Sequence, residues 1–184
     1  MNRTVTAVAV GAFVCLLTAA INAAQNPPLI SVNSSQTYES CADLHDVYLR
    51  RFESAPGFGS SRMLQPPMLD RRGVVALGRQ SYSIETIELV GLLKLDKPVV
   101  YVPLWHGSRP DGFSGRSLSE FETRSLDEFR SGRNVTVADD DGSGTLQCVG
   151  SLRMKDSCMN CHRDKKAGDL VGAFTYRLRV VQRP

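Results

Sequence analysis

Near the C-terminal end, Cys158, Cys161 and His162 stand in the pattern C-x-x-C-H. Two thiols separated by two residues can each add to a vinyl group of a porphyrin, and an imidazole next in line can bind its iron; covalent attachment of haem c requires that set. The chain holds 5 cysteines and 3 histidines among 184 residues, and random arrangement of that composition yields about 0.002 such patterns. Composition alone therefore does not account for the cluster. The same residues permit other chemistry. Cys158 and Cys161 can act as a thiol–disulfide couple, a use that goes with a βαβ setting. With Cys148 or another ligand they can also hold zinc. A structural disulfide across two residues closes too small a loop to remove much chain entropy.

A low-spin haem iron needs a second axial ligand, and Cys41, His45, His106 and several methionines are available. His45 lies one helical turn beyond Cys41, so either can face the same pocket. Each also has a plain reading, Cys41 as a small buried hydrophobe and His45 as a surface polar residue. His106 follows "YVPLW" and precedes "GSRPDG", a strand end opening into a loop. Arg163, Lys165 and Lys166 beside the motif can pair with haem propionates or simply solvate a turn.

Those residues need a scaffold, and the pattern along the chain supplies one. "YESCADLHDVYLRRFES" places Cys41, Leu44, His45, Tyr48 and Leu49 on one stripe and predicts a helix over Tyr38 to Glu53. "SAPGFGSSRMLQPPMLDRRG" reads as a long loop containing Met63 and Met68. Between Gly73 and Pro103, short runs rich in Val, Ile, Leu and Tyr read as strands, although Ile84 to Lys94 fits a helical period as well. Pro110 to Gly115 reads as a turn-rich loop. A second helix starts at Ser117 or Ser119 and ends at Gly132. "NVTVADDDGSGTLQCVGSLRM" then forms a hairpin, whose Asp139 to Gly144 turn lacks the alternating oxygen ligands and final Glu of a calcium loop. A last strand, "DLVGAFTYRLRVV", follows the motif. The expected fold is α+β, built around an antiparallel sheet with an N-terminal helix and flanking helices.

Near-neutral charge, 22 basic against 19 acidic residues with no long run of either sign, argues against a nucleic-acid partner. The opening "MNRTVTAVAVGAFVCLLTAAINAAQ" has a basic start, an uncharged apolar run and a small-residue end, which reads as a signal peptide over residues 1–24. A leader over 25–36 then precedes one domain over 37–184. The competing reading is an uncleaved anchor, the one circumstance that would bring in a membrane. Either way the domain is expected in the periplasm or another extracytoplasmic space. Cys15 goes with the signal, which leaves Cys41, Cys148, Cys158 and Cys161, an even number where disulfides can form. No Gly-rich phosphate loop and no placed nucleophile–base pair appears, so an enzyme is not expected.

"SLRMKDSCMNCH", a short linker and "GDLVGAFTYRLRV", where Gly-Asp-x-x-Gly opens the last strand, resemble the PAS-like single-haem c-type domain family of extracytoplasmic sensor proteins. The resemblance is specific over about Cys148 to Val180. It implies a PAS-like fold, one haem c joined through Cys158 and Cys161, and His162 as proximal ligand. Some members carry a helical cysteine ahead of the sheet that serves as distal ligand, and Cys41 matches it in order and setting. Others use water, Met or His, which keeps His45, His106 and Met63 open. The implied function is redox or small-ligand sensing, or one-electron transfer, with an unidentified redox partner or signalling protein. The alternatives are a non-haem PAS-type binding module and a thiol–disulfide or zinc protein using the same cysteines.

Overall fold

In the computed structural model, residues 34–69, 74–77, 80–92, 97–106, 109–139, 143–159 and 162–181 are described. The expected signal segment and most of the leader lie outside them. Helix α1 (Ser34–Ser54) opens the fold. It is longer than the apolar stripe predicted, because its polar first turn is exposed and adds nothing to the pattern. Cys41, Leu44, His45, Tyr48 and Phe52 form its buried face, the spacing of one helical stripe. The stretch expected to be loop folds back on the end of α1 as a 3-10 helix (Gly59–Leu64) and a single turn, α2 (Pro66–Leu69), burying Met63 and Met68.

Seven antiparallel strands follow: β1 (Val74–Leu77), β2 (Gln80–Gly91), β3 (Val99–His106), β4 (Arg109–Arg116), β5 (Val135–Asp139), β6 (Thr145–Arg153) and β7 (Leu170–Val180). Their order is β4-β3-β2-β7-β6-β5, with β1 added beside the start of β2. The segment over Ile84 that fitted two periods is strand, since β2 pairs with β7 from Tyr82↔Val180 to Gly91↔Gly172. Pro110 to Gly115 departs from the loop expected there and lies within β4, paired with β3. β4 is an edge strand, where a proline without an N–H and glycines without side chains are tolerated.

Two cores cover the two faces of the sheet. α1 packs on the face carrying Leu146, Cys148, Phe174, Tyr176 and Leu178. Helix α3 (Glu120–Arg130) packs on the other, where Val90, Val149 and Ala173 meet Phe121, Leu126 and Phe129. β7 is consequently buried without a break from Val171 to Tyr176, and its sequence is apolar from Leu170 to Phe174 before exposed Arg177 and Arg179 alternate with buried Leu178. Ser119 caps α3: its Oγ accepts from the Glu122 N–H at 3.2 Å while Glu122 Oε2 accepts from the Ser119 N–H at 2.8 Å. No helix among the described residues is long and apolar enough to cross a membrane.

Candidate functional site

The C-x-x-C-H motif lies on an excursion between β6 and β7, over 154–169. Its base is closed by backbone: the Met154 N–H donates to Asp169 O at 2.8 Å and the Gly168 N–H to Met154 O at 2.9 Å. Gly168 takes φ +88°, the left-handed conformation that favours glycine. Arg153 braces the same base, donating from Nη1 to Gly168 O (3.1 Å), from Nη2 to Phe129 O at the end of α3 (2.7 Å) and from Nε to Asn134 Oδ1 (3.2 Å). A cation at the last carbonyls of a helix is favourable there.

Within the excursion, Asp156–Met159 makes one helical turn, α4. The His162 N–H donates to Cys158 O at 3.2 Å, so the two residues stand one turn apart. Both are half-buried, accessible from solvent yet partly shielded. Cys161 lies outside the described residues. Lys155 Nζ pairs with Glu53 Oε1 at 2.6 Å, bringing the start of the excursion against the C-terminal end of α1. Both partners are substantially exposed, so this contact places the segment more than it stabilises it. The 3-10 helix reaches the same end of α1, through Arg62 Nη1 to the carbonyls of Phe52 and Glu53, both at 3.3 Å. Met63, 1% exposed, follows Arg62.

Cys41, His45 and His106, the other residues proposed for the far side of an iron, fall elsewhere. Cys41 lies twelve residues before Glu53, about 18 Å back along the helix axis. It is 0% exposed and shares the core under α1 with Cys148, which is also 0% exposed. Burial pushes the Cys148 thiol well above its ordinary value, and the contact with Cys41 pushes it further. His45, one turn along, is buried as well and both ring nitrogens are engaged: Nδ1 with Tyr176 Oη at 2.9 Å and Nε2 with Ser151 O at 3.0 Å. Burial lowers its pKa despite the Ser151 hydrogen bond and the Asp46 charge, which raise it. The ring sits over Gly150, where a Cβ would fall 2.2 Å from Nδ1. His106 ends β3 in an exposed position.

The motif's residue types suit a covalently held haem: Cys158 and His162 stand one turn apart, outside the packed core, on a segment free of the sheet's pairing. Among the described residues no group of three or more His, Cys, Asp or Glu is gathered as a metal cluster. A groove of about 300 Å³ runs elsewhere, between α1 and the β1–β2 pair, past Asp43, Val47, Arg51, Val75 and Ile84.

Sequence reasoning singled out Cys41 and His45, and Cys148 as a zinc ligand, but did not bring them together with one another or with Ser151 and Tyr176. Ser151 and Tyr176 are distant in the chain and carry no local signal. Gly150 does carry one, since a glycine inside an apolar strand marks a close approach of something to the backbone. No family model, curated protein or solved structure matches the chain.

Proposed function

We propose that this is an exported monohaem c-type protein of PAS-like fold, in which Cys158 and Cys161 hold the porphyrin and His162 supplies the proximal nitrogen. The observation that carries the reading is the C-x-x-C-H pattern itself, set on a braced excursion outside the sheet's hydrogen bonding. Bound haem would supply one-electron transfer or reversible binding of a small ligand at iron. The PAS-like part of the reading is supported by the sheet order, with the first long strand and the last side by side at its centre and helices packed on the faces.

For the second axial position these positions favour Met63. Its 3-10 helix docks on the end of α1 that Lys155 also reaches, whereas Cys41 and His45 are engaged within the core further up the helix. Thioether ligation raises the reduction potential, which suits electron transfer better than a thiolate would. Produced by export with a c-type maturation system, the protein is expected to gain the mass of one haem and show a Soret band that survives acid–acetone extraction. A colourless product with stoichiometric zinc would overturn the proposal. Met63→Ala should alter the axial-ligand spectrum while Cys41→Ala leaves it alone.

The groove between α1 and β1–β2 favours a second reading, a non-haem extracytoplasmic module that binds a small metabolite; at about 300 Å³ it is at the small end of ligand sites. Intact mass separates the two readings in one measurement.

A further inference from the structure

We propose that Cys41 and Cys148 form a disulfide in the mature protein, covalently fastening α1 to the centre of the sheet. The inference rests on the reading that the chain is exported to an oxidising compartment, where such bonds persist.

Two contacts align α1 with β6: His45 lies against Gly150 and Glu53 meets Lys155 further on. One turn before His45, about 6 Å back along the helix, stands Cys41, and two residues before Gly150, about 6.6 Å back on the same face of the strand, stands Cys148; both are free thiols. Both belong to the core that α1 makes with the sheet. Cys148 sits mid-strand on β6, flanked by Val137 of β5 and Tyr176 of β7, and α1 packs across β5 and β6. The turn of α1 that carries Cys41 is held in place one step later by His45, hydrogen-bonded to Tyr176 and to the Ser151 carbonyl. The backbone on both sides is thus fixed by regular structure, and the two cysteines face one another across the packed core. The ligand role once expected of Cys41 and the role proposed here are mutually exclusive.

The reaction balances by exchange with a protein disulfide of the compartment. One of the two thiols, deprotonated, attacks the oxidant's S–S bond, forming a mixed disulfide and expelling a thiolate. The second attacks the mixed disulfide and expels the other. The pair loses two electrons and two protons, and the oxidant becomes a dithiol. Because both cysteines are 0% exposed once α1 has docked, exchange must precede docking; afterwards the same burial keeps reductants out.

The test uses the exported wild-type protein, purified without reductant, unfolded in guanidinium with iodoacetamide, digested and mapped by mass. A linked peptide pair containing Cys41 and Cys148, separated by subsequent reduction, is expected. Carbamidomethyl groups on both residues before reduction, or a link from either to Cys158 or Cys161, overturns the proposal. Failure of the haem reading would show separately, as missing haem mass on the peptide bearing Cys158, without touching the linkage. Dithiothreitol should leave the bond intact in native buffer and break it in guanidinium. Refolding the reduced protein should lower its melting midpoint by about 10 °C, as expected for opening a closed loop on the order of 100 residues. Equal midpoints would count against the bond.

Discussion

At His45 the position of one proton follows from its partners. The Ser151 carbonyl can only accept, so Nε2 carries the hydrogen; neutral Nδ1 then accepts from the Tyr176 hydroxyl. A buried imidazole so placed resists protonation, and its pKa is held below the ordinary 6.5. The unfolded chain binds that proton more readily, so the stability contributed by neutral His45 is complete above 6.5 and declines as pH falls through the folded value. Urea unfolding between about pH 8 and about pH 5 should show that decline, and His45→Gln should flatten it. Gly150→Ala attacks the same seat sterically. A Cβ 2.2 Å from Nδ1 must expel the ring, breaking two buried hydrogen bonds at a cost of roughly 3 kcal/mol. A denaturant midpoint equal to wild type would show that the ring has another place to go.

At the scale of elements, α3 depends on its first turn. Ser119→Ala removes one half of the reciprocal cap and should destabilise by about 1 kcal/mol in chemical denaturation. Glu122 has a second duty, since Arg116 of β4 donates to its carboxylate and also to Glu88 of β2. Burial alone would raise the Glu122 pKa, but the hydrogen bonds from Arg116 and the Ser119 N–H outweigh it and hold the carboxylate ionised below its ordinary value. The edge strand, the central strand and the helix start are thereby tied by one guanidinium. The sequence made α1, α3, the β5–β6 hairpin and β7 legible because each has a local period or cap. It did not make β4 legible. Gly and Pro are permitted there by the strand's place at the edge, and edge position is a property of the whole sheet.

For the whole molecule, the motif is separable from the scaffold. β6 and β7 keep register from Thr145↔Arg179 to Leu152↔Gly172, and the excursion closes at its own base. A Cys158→Ala/Cys161→Ala variant should therefore lose all covalent haem while its far-UV circular dichroism and unfolding free energy stay within roughly 1 kcal/mol of the unloaded wild type. Loss of the fold would mean that the excursion helps hold the sheet together. Cys158, Cys161 and His162 stand out in the sequence because the three are nearly contiguous there. The pairing of Cys41 with Cys148 in one core does not stand out there, since the two are far apart in the chain and only the docking of α1 brings them together.

The central place of β7 also sets an order in time. As the chain emerges from its N-terminus, β2 and β6 each wait for the strand that lies between them, and that strand comes last. Cys158 and His162 precede it. The motif is therefore carried on a chain whose sheet stays open at its centre until residues 170–180 take their place between β2 and β6.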